Sequence, residues 1–428
     1  MNASPAVVNG QPLPDGWKAI AVRWLSRRYS GGTPDKNFSY YWNDGTIPWL
    51  NSGAVNQGVI RQPSDFITKE GLANSSAKWM PRGSVVMALA GQGKTKAMVG
   101  YLDIETTGNQ SLAAIVPSAI EGKFLYWWLT SQYRHIRNLS SQDGRDGLNL
   151  EMLGSIRCPV PSPEAQKRIS AFLDEKTAKI DGLITKKQAL LEHLVEKRQA
   201  IITQAVTKGL DPAAPMKDSG IDWLDQIPAH WEVKRLSFVS QVIDCKHRTP
   251  EYIDDGIPLV STTEISPYAI DYHTKRQVSD DEFTMMSEGG RRPQVGDIIY
   301  SRNASVGSAA LVRDDRTICL GQDLCLIRPS IIRPEFLEHF LNSTACLVQL
   351  RSYLVGATFK RVNVDVIKKY MLPLPPPEEQ TAIAEQVSVA IAKAEAIERK
   401  VSMSISALRE YRSAVITSAV TGQIEGLQ

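Results

Sequence analysis

No run of apolar residues approaches the length that spans a bilayer, and Met1 to Pro14 has neither the basic start nor the apolar stretch of a secretory signal. A cytoplasmic protein with no membrane partner is the expectation. Cysteine is scarce: Cys158, Cys245, Cys319, Cys325 and Cys346 form an odd set without a Cys-x-x-Cys pair. That argues against a disulfide framework or a structural zinc and leaves reduced thiols in a core. The six histidines have no metal-ligand spacing. Neither sign of charge dominates, since 49 basic and 46 acidic side chains leave +3, so no general field would draw a polyanion. The surplus is local: residues 1–160 and 161–211 are net basic, and 212–428 is mildly acidic. Any nucleic-acid binding must come from patches.

What is present is length and repetition. A chain of 428 residues exceeds what one hydrophobic core usually supports, and 43% apolar content suffices for two. Laying Pro161-Ser-Pro-Glu-Ala-Gln166 over Pro375-Pro-Pro-Glu-Glu-Gln380 sets an offset of 214 residues that continues without a gap. Ile169 falls on Ile383, Leu194 on Leu408, Arg198 on Arg412, and Ile202-Thr-Gln-Ala-Val-Thr207 on Ile416-Thr-Ser-Ala-Val-Thr421. The same offset pairs Pro14-Asp-Gly-Trp17 with Pro228-Ala-His-Trp231, so the repeat includes a globular region before each of these segments. Between the anchors similarity is patchy, with Ile47-Pro48 resembling Ile257-Pro258 and Gly83-Ser-Val-Val resembling Gly296-Asp-Ile-Ile. The chain reads variable, shared, variable, shared.

The shared segments predict long helices. Pro163 suits a helix start, Glu164 the first turn, and Gly209 a stop, with no proline between. One heptad seam runs Leu173, Ile180, Lys187, Leu194, Ile201, and a companion Ile169, Lys176, Leu183, Leu190, Lys197. The second copy offers Val387, Ala394, Val401, Leu408, Val415 and Ile383, Ala390, Ile397, Ser404, Tyr411. At about 1.5 Å per residue, such a helix is about 68 Å long, comparable with two turns of DNA at about 34 Å each. Heptads alone fit a core or a homodimer equally well, but two matched copies beside two globular repeats favour an internal antiparallel pair. The globular parts mix strands, as at Val295-Gly-Asp-Ile-Ile-Tyr300, with helices over Lys123 to Asn138 and Pro334 to Leu350. The fold class is α+β, a pseudo-two-fold repeat of two globular domains separated by two long antiparallel coiled-coil helices. The expected boundaries are 1–160 and 211–374 for the domains, and 161–210 and 375–428 for the helices.

Two motifs imitate enzyme sites. Ala88-Leu-Ala-Gly-Gln-Gly-Lys94-Thr95 approaches a phosphate-binding loop, but its first glycine is alanine and Lys96-Ala-Met-Val-Gly-Tyr-Leu102 has strand rather than helix character. A turn between strands is the better reading, with Lys94 or Lys96 near a nucleic-acid phosphate. Asp174-Glu-Lys176 has nuclease-like spacing but lies in the heptad helix, where a solvated charge run is expected.

Over nearly its whole length the chain resembles the specificity subunit of type I restriction-modification systems. The resemblance rests on the Pro-x-Pro-x-Glu-x-Gln start of each long helix, the paired Ile-Thr-x-Ala-Val-Thr ends, and Asp218-Ser-Gly-Ile-Asp-Trp-Leu-Asp-Gln-Ile-Pro-Ala-His-Trp231. It implies two target-recognition domains, each reading half of a bipartite site in double-stranded DNA, with the coiled coil setting the spacing. It also implies two modification (methyltransferase) subunits docked along the helices, joined by restriction motor-nuclease subunits. S-adenosylmethionine, ATP and Mg²⁺ would then sit on those partners, with no cofactor, metal or catalytic residue in this chain. The sequence has no Asn/Asp-Pro-Pro-Tyr/Phe loop for adenine methylation.

Base reading needs Arg or Lys for guanine and amides for adenine. In the first domain these are Arg27, Arg28, Lys94, Lys96 and Arg145, with Gln142 and Asn149 as amides; in the second, Lys246, Arg248, Arg302, Asn303, Lys360 and Arg361. Loops 142–148 and 356–361 precede the last strand of each domain. Trp127, Trp128, Trp17 and Trp231 read as core, and His247 as a surface residue. For helix pairing and partner seating the residues are Ile169, Leu173, Ile180, Leu183, Leu190, Leu194, Ile201, Ile383, Val387, Ile397, Val401, Leu408 and Val415. The competing reading is a protein-interaction scaffold without DNA specificity.

Overall fold

The computed structural model describes residues 6–91, 93–139, 147–354 and 361–428. They fall into two compact units, one of residues 1–187 with 403–428 and the other of residues 188–402. The long helices run Pro163–Lys208 and Pro377–Val420, close to their sequence signals. Each helix therefore contributes one part to each unit, rather than the two helices forming a body of their own.

The first unit holds a five-stranded sheet in the order Ser26–Ser30, Leu112–Pro117, Val85–Ala88, Val99–Leu102, Val59–Ile60. Only the last pairing is parallel. A three-stranded sheet sets Ile47–Leu50 between antiparallel Asp65–Ile67 and parallel Thr107–Gly108. The strand sequences are apolar runs because both faces of the larger sheet are covered. Val85, Met87, Ala113 and Ile115 pack with Phe124 and Trp128 of the helix Gly122–Ser131, while Val86, Ala88, Leu112 and Ala114 pack with Leu50, Ile60 and Met80.

The second unit repeats this plan. Its larger sheet runs Ser240–Asp244, Leu324–Pro329, Ile298–Ser301, Ala309–Leu311, and its smaller one sets Ile257–Val260 between antiparallel Gln277–Val278 and parallel Cys319–Leu320.

The repeated residues do the same work twice. Buried Gln166 donates to the Pro161 carbonyl (2.9 Å) and accepts from the Glu121 N–H (2.8 Å); buried Gln380 donates to the Pro375 carbonyl (2.8 Å) and accepts from the Arg333 N–H (2.7 Å). Each glutamine thus ties the start of a long helix to the start of the helix that covers the sheet, and satisfies backbone groups that burial would otherwise orphan. At the other end the helices stop on left-handed glycines, Gly209 (φ +77°) and Gly422 (φ +73°). A side chain on Gly209 would meet Trp231 at 3.2 Å, and one on Gly422 would meet Trp17 at 3.0 Å. The Pro-x-x-Trp turns are therefore seats for the helix ends, which explains why they recur at the same offset.

The helix seams depart from expectation. Leu173, Ile180, Val387, Val401 and Val415 are buried, as are Ile169 and Ile383, which join the globular cores. Leu183, Leu190, Ile201 and Ile397 are 40–49% exposed, and Leu194 and Leu408 are half-buried. The companion seam is displaced by one residue, onto Ser170, Thr177 and Ile184 in the first helix and Ala384, Ile391, Ile405 and Ala419 in the second. The Ser170 and Thr177 hydroxyls donate to the carbonyls four residues back, at 2.8 and 2.6 Å, so these polar residues can be buried without loss. A search for apolar residues passes over them. Arg198 and Arg412, equivalent in the repeat, each cross to the opposite helix, to Glu398 at 3.5 Å and to Asp181 at 2.8 Å.

All five cysteines are buried and unpaired, and Trp17, Trp127, Trp128 and Trp231 are core residues. Asp174 docks the sheet-covering helix by accepting from Lys123 and from the Trp127 indole (3.2 Å), so it belongs to packing rather than to a solvated charge run. Among the described residues, no helix is long and apolar enough to cross a membrane and no group of side chains could hold a metal ion.

The displaced seam is tested by comparing two leucines. Leu173→Ala should destabilise by about 2–5 kcal/mol, visible as a fall in the melting midpoint, and Leu183→Ala by less than about 1 kcal/mol. Equal losses would restore the original seam. A pH effect follows from His339 in the second unit. Its Nε2 lies 3.2 Å from both the Ala384 carbonyl and the Ser388 hydroxyl, and burial lowers its pKa from 6.5 to about 4. Between those values the unfolded chain binds the extra proton, so stability falls as pH drops, by about 2 kcal/mol from pH 7 to 5. Neighbouring Glu338, whose pKa burial raises, works in the opposite sense. The difference between wild type and His339→Gln over that range isolates the imidazole; parallel curves would contradict its assignment.

Candidate nucleic-acid interface

In the second unit, the hairpin between Ile298–Ser301 and Ala309–Leu311 brings Arg302 and Asn303 to one end of the larger sheet. The Arg302 N–H donates to the Asp323 carbonyl and its own carbonyl accepts from the Val362 N–H, both at 2.9 Å. That bond holds the segment after Arg361 against the hairpin. Arg361 Nε lies 3.4 Å from one Asp323 carboxylate oxygen, and Asn303 Nδ2 lies 3.4 Å from the other. Three of the predicted residues therefore share one corner.

Arg302 itself does not reach outward. It is 2% exposed, its guanidinium donates to the Gln322 carbonyl (2.9 Å), and it lies 2.9 Å from Asp244 Oδ1 at an angle outside hydrogen-bond geometry. Burial of a cation in such a cage makes it a brace for the hairpin, which corrects its expected role in reading bases. Lys246 and Arg248 stay at the surface but are engaged by carboxylates of the 280–288 segment: Lys246 pairs with Glu288 and Arg248 with Glu282, each at 2.5 Å. The Lys246 ammonium holds the Glu288 carboxyl below its ordinary range. His247 lies 3.0 Å from Asp244.

In the first unit, Val85–Ala88 and Val99–Leu102 form an antiparallel hairpin. A phosphate-binding loop needs a helix here, so the nucleotide-site imitation is excluded by topology. The hairpin is pinned from the side: the Tyr133 hydroxyl donates to the Lys94 carbonyl (2.7 Å), and Arg137 donates to the carbonyls of Gly93 (2.6 Å) and Lys96 (3.2 Å). Lys94 is exposed, whereas Lys96 is 8% exposed, which removes most of its reach toward a phosphate. Arg27 is exposed on the edge strand Ser26–Ser30. Arg28 instead lies along Gly154, where a side chain would meet its guanidinium at 3.1 Å; burial lowers its pKa, and it covers the helix Leu150–Ser155 rather than facing a ligand. Asn149 caps that helix, its Oδ1 accepting from the Met152 N–H (2.9 Å), so half of its amide is already committed. Gln142, Arg145 and Lys360 lie outside the described residues.

The structure also assembles a site that sequence reading passed over. In the first unit a cleft of about 620 Å³ opens beside the smaller sheet, lined by Lys36, Asn43, Trp49, Asn51, Asp65 and Gln110 among others. The signal was a length difference: sixteen residues lie between the matched strand end Ser30 and Ile47, but twelve lie between Asp244 and Ile257.

These placements separate cations with different roles. Arg361→Ala should weaken DNA binding several-fold and reduce its salt dependence by about one counterion. Arg302→Ala should instead lower the melting midpoint, with a stability loss of about 2 kcal/mol given that Asp244 keeps part of its surface in water. Unchanged DNA affinity on replacing Arg361 would favour the scaffold reading.

A family model described as the type I restriction modification DNA specificity domain matches residues 14–193 and 230–406. The chain is 23% identical over 433 residues to the type I restriction enzyme EcoKI specificity subunit of Escherichia coli K12, across 96% of this chain and 90% of that one. It is 28% identical over 163 residues to the EcoR124I/EcoR124II specificity subunit of Escherichia coli, an alignment that spans 37% of this chain and only 40% of that relative. Among solved structures, a chain described in connection with complex assembly of the type I R-M system superimposes with a TM-score of 0.76 at 18% identity, over 97% of this chain and 100% of that one. The HsdS subunit from Thermoanaerobacter tengcongensis superimposes with a TM-score of 0.55 at 17% identity, over 97% and 100%. At these identities the structural likeness speaks for the fold.

Proposed function

The chain belongs to the type I restriction modification DNA specificity family, and from that we propose that it is the non-catalytic subunit that selects the DNA sequence for a restriction-modification complex. Each globular region reads one half of a bipartite site. The observation that carries this is the duplicated two-sheet framework with divergent edges: the strand partners repeat, but the segments between Thr33 and Ile47 and between Thr249 and Ile257 do not. A shared scaffold with unlike edges suits two different half-sites.

Lys94, Arg27, Arg361, Asn303, Lys246 and Arg248 are the surface residues proposed to meet the DNA. Because several of these cations are held by carboxylates, phosphates must displace or share those partners, and affinity draws less on bulk charge than on fitted contacts. The long helices set the number of unread base pairs between half-sites and seat two modification subunits. Exposed Leu183, Leu190, Ile201 and Ile397 offer apolar surface for that contact. Motor-nuclease subunits join the same complex, S-adenosylmethionine, ATP and Mg²⁺ belong to the partners, and the complex works in the cytoplasm.

Co-expression with the modification subunit, followed by single-molecule mapping of methylated adenines, should return one split motif. Inserting two heptads into both helices should change the gap and leave both half-sites as they were. A contiguous motif, or an unchanged gap, would count against the bipartite reading or the spacing role respectively.

A further inference from the structure

We propose that two exposed aromatic side chains, Trp24 and Phe238, each seat one copy of the same partner chain at a contact outside the long helices. This rests on the reading above, in which the modification subunit is the chain present twice. Among the described residues they are the two most exposed aromatics, at 75% and 69%. One such residue on a surface needs no explanation. Here, however, the offset of 214 residues lays one on the other.

The turns that carry them are one structure built twice. Val22–Leu25 and Leu236–Val239 each form a single helical turn whose first and fourth residues are buried and whose middle two are exposed. The Val22 N–H donates to the Ile156 carbonyl at 2.9 Å, and the Leu236 N–H to the Tyr370 carbonyl at 2.7 Å. The Ser26 and Ser240 hydroxyls donate to the carbonyls of Val22 and Leu236, both at 2.9 Å. Each ring therefore stands on backbone that is already braced, which lowers the ordering cost of covering it. Neither core takes the ring up, so its recurrence serves something other than packing.

The surroundings of the two rings match in size and charge, but through unlike residues. The Ala119 N–H donates to the Leu25 carbonyl at 3.2 Å and the Ile331 N–H to the Val239 carbonyl at 3.4 Å, which sets an exposed alanine beside the tryptophan turn and an exposed isoleucine beside the phenylalanine turn. The smaller ring has the larger aliphatic neighbour. On the adjoining ladder, Ala21 opposite Arg157 corresponds to Arg235 opposite Met371, so each rung carries one exposed arginine, supplied from opposite strands. A single partner surface used twice accounts for both compensations: an apolar pocket edged by carboxylates.

DNA fits these positions less well. Phe238 precedes the strand Ser240–Asp244, and Asp244, at its other end, meets Arg302, about 13 Å further along. Of the residues proposed to meet DNA, only Arg27 is a close sequence neighbour of either aromatic. Phe238 and Ile331 have no donor to offer a phosphate.

The test titrates the modification subunit into the full-length chain, for wild type, Trp24→Ala, Phe238→Ala and the double variant, counting bound copies by sedimentation velocity and measuring the DNA affinity of the chain alone. Wild type should take two copies. Each single variant should keep one copy at wild-type affinity and weaken the other about thirtyfold, and the double variant should weaken both. DNA affinity and the melting midpoint should not move, because both side chains are exposed. Fewer than two copies on wild type overturns the reading on which this rests. Two copies on wild type with undiminished affinity in the double variant overturns this proposal alone. So does a single variant that weakens both copies alike, or a loss of DNA affinity with both copies still bound.

Discussion

Neither unit closes its core without a helix segment borrowed from the other end of the repeat. In the first, Val415, Ile416, Ala419 and Val420 of the second long helix pack with Ile169, Leu173 and Trp17; in the second, Ile202, Ala205 and Val206 of the first long helix pack with Ile383, Val387 and Trp231. The helix-to-helix contacts join residues more than 150 positions apart in sequence, and they make each helix part of two hydrophobic cores. A residue on such a helix is therefore judged by its burial in the unit it serves as well as by its place in a heptad.

That constraint explains the motifs. The glutamine at each helix start and the glycine at each helix end fix where a helix enters and leaves a core. Gln166 and Gln380 satisfy a helix-start N–H and a proline carbonyl at once, and Gly209 and Gly422 let the chain turn beneath a tryptophan. The recognisable parts of the sequence are thus its scaffold, and the proposed reading surfaces lie in what is not repeated. The same division appears in the electrostatics. Lys246, Arg248 and Arg361 are each engaged by a carboxylate, consistent with a second half that is mildly acidic overall. For the proposed DNA contact this means discrimination by geometry, because a polyanion gains little from a field that is already balanced.

Helix limits, the two-fold repeat and the buried cysteines and tryptophans were legible because each rests on a local rule: proline at a start, glycine at a stop, one offset, one residue type. One of the two seams was legible as well. The other was hidden because Ser170 and Thr177 satisfy their own hydroxyls within the helix, so burial there leaves no apolar trace. Arg302 misled for a related reason: a cation in a polar turn looks like a ligand-binding group until Asp244 and the Gln322 carbonyl are found around it.

What the sequence by itself determined is the duplication, the class of fold and the family, since these follow from periodicities and motifs that need no third dimension. Tertiary structure alone decided which cations face out, and that Lys36, Asn51, Asp65 and Gln110 line one cleft. The physical reason is that a hydrogen bond spends a group's capacity, and whether it is spent depends on neighbours that the fold brings from far along the chain.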